Sequence, residues 1–206
     1  MSISVYLAVN DEEIVNHPKN LIVQLGFGFH SDGTVRSPRQ IKSGIVVVDD
    51  LHMPNFSVSA LQILKSKFRA CILDFERPPT PLHKKLIQGI PKILAITAKY
   101  HSFAPQALPI VSCLEPCNSW EQFLKQTEQQ FPNGWMLEIT PWHHEKIGTM
   151  NQKEGFLSYA VCRYEKRNNH ILYYDTKETI NEKLKLAEQY HCKAAIALLQ
   201  EVRNLK

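Results

Sequence analysis

A chain of 206 residues with 44% apolar content is long enough for one domain with a full hydrophobic core, which argues against disorder. Its 24 Lys and Arg against 20 Asp and Glu leave a net charge of only +4, and no basic block is interleaved with aromatics, so nucleic acid is not an expected partner. No basic-then-apolar leader occupies Met1 to Asn10 and no apolar run approaches about 18 residues, so the expectation is a cytoplasmic protein with no membrane partner.

Ser4 to Val9 and Leu21 to Phe27 read as the first two strands, and Phe27 to Val35, with Ser31-Asp32-Gly33 between apolar flanks, as a β-hairpin. Gly44 to Val48 is a third strand. Ser57 to Phe68 carries helical periodicity, Ala70 to Phe75 is a strand, and Leu82 to Ile90 is helical again. Ile93 to Thr97 and Leu108 to Ser112 follow as strands. A capping pair, Asn118-Ser119, precedes a helix running to Phe131 with Trp120, Phe123 and Leu124 on one face, and Trp135 to Ile139 is the next strand. Tyr159 to Tyr174 contains Lys166-Arg167-Asn168-Asn169 and reads as a second hairpin. Thr176 to His191 is a helix, and Ala194 to Leu199 is the last strand.

Several of these strands are continuously apolar, the pattern of strands buried on both faces, and they alternate with helices as in a parallel sheet. The expectation is an α/β fold, a compact (β/α)8 TIM-like barrel forming a single domain over residues 1–206. Such barrels usually take about 250 residues, so some outer helices must be shortened or missing, with one or two β-hairpin insertions. Pro18 and Pro54 fit interrupted helices.

The run Cys71 to Pro78, CILDFERP, stops on Asp74 and Glu76, one residue apart. Alternate strand residues share a face, so both carboxylates project together at the C-terminal end, where such barrels keep their chemistry. Other polar groups fall at strand ends and form candidate substrate contacts: Asp49 and Asp50, Tyr100 and His101, Glu115, and Glu138. Trp142 is a candidate sugar-stacking residue, whereas the opposite parity of Trp135 assigns it to packing. His143-His144 on an expected surface loop lacks metal spacing, Cys113 and Cys117 have no matching second pair, and no Gly-rich phosphate cradle occurs; neither metal nor cofactor is expected. The five cysteines read as reduced thiols.

The segment Arg69 to Glu76, RACILDFE, resembles the D-x-x-D-x-D-x-E signature on the fourth strand of the family 18 glycoside hydrolases, the chitinase-like barrels. Asp74 and Glu76 match; Arg69 and Ile72 replace the first two acids. Ile171 to Leu199 is similar to the family's tyrosine-aspartate segment, following helix and eighth strand, with Tyr174-Asp175 in place and Leu199 where a tryptophan is usual. The resemblance implies a degenerate member acting on N-acetylglucosamine-containing glycans by substrate-assisted catalysis, with Glu76 as general acid and Asp74 orienting the substrate acetamide. It adds Tyr174 to the substrate contacts. The alternative it leaves open is a catalytically inactive barrel that binds a glycan or protein partner.

Overall fold

A computed structural model of the chain describes residues 3–13, 18, 21–53, 58–90, 92–114, 119–147, 160–168, 170–203 and 205. The barrel strands are β1 (Ser4–Val9), β2 (Ile22–Phe29), β4 (Ile45–Asp49), β5 (Ala70–Asp74), β6 (Ile93–Thr97), β7 (Leu108–Ser112), β8 (Trp135–Ile139) and β12 (Cys192–Leu198). Their order, β1-β12-β8-β7-β6-β5-β4-β2 with β1 also pairing with β2, is that of a closed (β/α)8 barrel. All eight expected strands are present, four with the expected ends and four with ends shifted by one or two residues. Contacts divide the chain into two compact units, 6–110 and 1–5 with 111–206.

In the first unit, β2, β4, β5 and β6 pair in parallel, with Ile45 opposite Ala70 and Asp49 opposite Asp74. Val46, Val48 and Leu73 are fully buried and Ile72 is 1% exposed, which accounts for the unbroken apolar runs. Helix α1 (Val58–Lys67) and helix α2 (Pro81–Gly89) cover this sheet through Leu64, Leu86 and Ile87. Helix α2 starts sharply because Thr80 caps it, Pro81 stands at its first position, and the His83 ring completes a capping box. The strand β3 (Val35–Arg36) runs antiparallel to β2, the first expected hairpin. Between β6 and β7 only a 3-10 turn, Ala98–Phe103, replaces an outer helix.

In the second unit, helix α3 (Trp120–Gln130) and helix α4 (Lys177–Gln189) accompany the parallel pair β8 and β12, and the short helix α5 (Leu199–Val202) follows β12. Leu199 therefore begins a helix and does not end the strand. Trp135 is buried and its indole N–H donates to Tyr190 O at 2.8 Å, the packing role its parity implied. The second hairpin is larger than expected. The strand β9 (His143–Ile147) pairs with β11 (His170–Tyr174), which pairs with β10 (Arg163–Arg167), giving a three-stranded antiparallel sheet. The expected surface loop at His143 to Glu145 is thus a strand; its polar HHEKI pattern lacks the apolar alternation by which strands are read. Among the described residues no helix is long and apolar enough to cross a membrane.

Candidate active site

The apolar strand β5 delivers two carboxylates beyond its buried core. Asp74 and Glu76 are both exposed, while Phe75 between them is fully buried, so the two acids share a side as the alternation requires. Residues 75–77 are held from several elements. The Phe75 N–H donates to Thr97 Oγ1 at 3.0 Å, and Lys99 Nζ donates to Glu76 O. The Glu76 and Arg77 N–H groups donate to Asp50 Oδ1 and Oδ2 at 2.8 and 3.1 Å. The Arg77 guanidinium points to Met53 O, 2.9 Å away.

Asp50, expected as a substrate contact, is fully buried just after β4. His83 Nε2 lies 3.1 Å from its Oδ2. The other ring nitrogen, Nδ1, receives the Thr80 backbone N–H at 3.2 Å, which makes Nδ1 an acceptor and leaves the proton on Nε2, donated to Asp50. Burial holds the His83 pKa below the usual imidazole range, outweighing the pull of Asp50. Tyr100 is also fully buried; its hydroxyl donates to Arg77 O at 2.6 Å and stands 3.4 Å from Asp50 Oδ2. Burial, then the Asp50 charge, raises the Tyr100 pKa, so it remains a donor. The rings of Phe75, His83 and Tyr100 lie 5.1 to 5.4 Å apart and close this cluster.

Asp49, one residue earlier, is partly exposed beside Asp74 in the register and forms an ion pair with Arg36 of β3. The pair needs Gly28 of β2. A Cβ there would stand 2.8 Å from both Asp49 carboxylate oxygens and from Arg36 Nη2. Asp49, Asp50, Asp74, Glu76 and Tyr100 therefore gather at the C-terminal ends of β4 to β6 in the first unit, three exposed or half-exposed and two buried beneath them.

Glu138, Trp142 and Tyr174 belong to the second unit. Glu138 is half-buried and accepts the Ser112 hydroxyl. Trp142 is 2% exposed: its indole N–H donates to Cys113 O at 2.6 Å and Lys183 Nζ lies 3.1 Å from its ring centroid, a cation–π contact. Lys183 also donates to both oxygens of buried Asp175, at 2.9 and 2.7 Å, while the Trp142 N–H and the Thr179 hydroxyl donate to the same carboxylate. Burial pulls the Lys183 pKa down and Asp175 offsets part of the shift. Beside this clamp lies a cavity of about 540 Å³ lined by Trp142, His143, Glu165, Tyr174, Thr176 and Glu201 among others, within the size range of small-ligand sites. Burial, and next the charge of Glu138, raises the Glu201 pKa. Glu115 and Cys117 lie outside the described residues. Among the described residues no group of three or more His, Cys, Asp or Glu side chains is arranged to hold a metal ion.

No family model matches the chain, and no curated protein does. Solved structures do. The spore cortex-lytic enzyme SleL of Bacillus cereus aligns with 100% of this chain and 72% of its own, at TM-score 0.58 and 11% identity. SleL of Bacillus megaterium aligns over 95% and 70%, at 0.57 and 11%. The chain shares its fold with these barrels. At such identity the likeness carries architecture and not residue roles.

The sequence did not point to His83, Lys183, Arg36 or Glu201. The pattern Thr80-Pro81-Leu82-His83 carries a readable cap signal, a Thr before proline with a hydrogen-bonding side chain three residues on. Nothing local marks Lys183 as buried, since its partner Asp175 and the two tryptophans meet it only in the folded chain.

Proposed function

We propose that this chain is a glycoside hydrolase-like barrel domain, similar to family 18, acting on N-acetylglucosamine-containing glycans with Glu76 as general acid. The supporting observation is the built backbone at Glu76: Asp50, Tyr100 and Lys99 hold residues 76–77, while the Asp74 and Glu76 side chains are exposed at the end of β5. Glu76 donates its proton to the glycosidic oxygen as that bond breaks. The acetamide oxygen of the same sugar attacks the anomeric carbon, and Asp74 accepts a hydrogen bond from the acetamide N–H. Water then opens the cyclic intermediate, with the Glu76 carboxylate as base. Asp49 is the adjacent polar contact in the same unit. The cortex-lytic names of the structural neighbours agree with an amino-sugar substrate.

Glu76→Gln keeps shape and removes the transferable proton, so hydrolysis of N-acetylglucosamine oligomers should fall about 10²- to 10⁴-fold with the melting temperature unchanged. Equal turnover in wild type and variant assigns the chemistry elsewhere. A second reading, a glycan-binding barrel without turnover, is favoured by Ile72, buried on the same side of β5 below Asp74 where family 18 carries an acid. Its signature is thermal protection by chitin oligomers, about 2.7 kcal/mol at a hundredfold excess over Kd, with no reducing ends released. Neither cleavage nor protection would overturn both readings.

A further inference from the structure

We propose that Asp50 is the positioning residue of the Glu76 site: its buried carboxylate, braced by His83 and Tyr100, fixes the backbone of residues 76–77 and so sets the direction of the Glu76 side chain. The inference rests on the reading of Glu76 as the acid.

A carboxylate removed from water is unfavourable unless donors fill its lone pairs. Asp50 meets that requirement with the N–H groups of Glu76 and Arg77 at 2.8 and 3.1 Å and His83 Nε2 at 3.1 Å. The donors come from two separate segments, the end of β5 and the first turn of α2. A strand that merely had to end here would leave these amides to solvent and need no buried charge. Two successive amides aimed at the two oxygens of one carboxylate hold the peptide groups on both sides of the Glu76 Cα and so restrict the φ and ψ of Glu76, because rotating either peptide breaks a charge-assisted bond. The Cα–Cβ direction of Glu76 follows from those dihedrals. The Glu76 carbonyl, in the same peptide group as the Arg77 N–H, is tied to Lys99 and that of Arg77 to the Tyr100 hydroxyl, so the peptide groups on both sides of Arg77 are held as well.

The bracing is directional. His83 Nδ1 accepts from Thr80 and Nε2 faces Asp50, so helix α2 aligns the imidazole and the imidazole aligns the carboxylate. The ring triangle of Phe75, His83 and Tyr100 keeps water from replacing any of these donors. Glu76, which carries one of the held amides, and Asp74, two residues before it, are both exposed.

The test is amide hydrogen exchange together with steady-state hydrolysis of N-acetylglucosamine oligomers, on the wild type, Asp50→Asn and Tyr100→Phe. Asp50→Asn replaces one acceptor oxygen by an NH2 group. Exchange at Glu76 and Arg77 should quicken about tenfold or more, the size of one charge-assisted bond, while Val47 and Leu73 in the strand cores keep their protection. The kcat should fall by a comparable factor and KM should hold within about twofold, since the acid is misdirected and the substrate contacts remain. Tyr100→Phe, a near-isosteric change that should fold even if Asp50→Asn does not, should show the same pattern with a smaller amplitude. Unchanged exchange at residues 76 and 77 in both variants overturns the proposal, and so does quickened exchange with unaltered kcat. A wild type without turnover overturns the hydrolase reading alone, and the exchange arm still decides whether Asp50 sets this loop.

Discussion

Two buried carboxylates, Asp50 and Asp175, solve the same solvation problem in opposite ways. Asp50 is satisfied by dipoles: two backbone amides and a neutral imidazole. Asp175 is satisfied by a full charge, the Lys183 ammonium, with one amide and one hydroxyl completing its shell. Dipoles hold a backbone in place but do not cancel the Asp50 charge that lies near the Asp74 and Glu76 pair. A buried ammonium instead ties one element to another, here helix α4 to the segment at Trp142 that follows β8. The first arrangement suits a site that must keep its geometry while its acids change protonation; the second suits a joint.

The comparison can be broken most severely at Lys183. Lys183→Met leaves the Asp175 charge buried without its counter-ion and should lower stability by about 3–5 kcal/mol, measured by urea unfolding. Adding Asp175→Asn should recover a large part of that loss, because the orphaned charge is gone. A single-variant loss under about 1 kcal/mol would mean that water reaches Asp175.

Acid sharpens the contrast in the Asp50 cluster. The His83 pKa is lowered by burial, so the unfolded chain, near 6.5, binds more protons than the folded one over the window below that value. Stability from neutral His83 is therefore present above about pH 6.5 and is lost as pH falls through that window towards the lowered folded value. Unfolding experiments on the wild type and His83→Gln from pH 7.5 to 5 should show a steeper decline for the wild type. Parallel slopes would show that His83 binds protons equally in the folded and unfolded chain, so that the fold does not lower its pKa. A smaller effect is expected from Thr176→Ala, which removes the cap of α4 beside Asp175 and should lower stability by about 1 kcal/mol in urea unfolding. The smallest is expected from Gly28→Ala. The new Cβ displaces the Arg36–Asp49 pair, both of whose side chains reach solvent, so the loss should stay within about 1 kcal/mol in thermal unfolding.

The strand pattern and the acid pair were legible because both are local. Runs such as Ile45 to Val48 and Ala70 to Leu73 state by composition that they are covered on two faces, and alternation alone puts Asp74 and Glu76 on one side. Burial at loop positions was not legible. Asp50, Tyr100 and Trp142 are polar or amphipathic residues just past strand ends, where solvent or ligand contact is the natural reading, yet each is enclosed. Nothing in VVVDD tells that Asp49 turns to Arg36 and Asp50 turns inward to His83, thirty-three residues away.

By itself the sequence determined an α/β barrel with trimmed helices and a carboxylate pair at the end of its fourth strand, since periodicity, capping residues and strand parity act over a few residues. Tertiary structure alone decided which carboxylates stay open and which are enclosed, because a buried charge depends on donors drawn from distant segments. It also recruited His143–Ile147 into a third strand, which no local apolar alternation required, by offering β11 as a pairing edge.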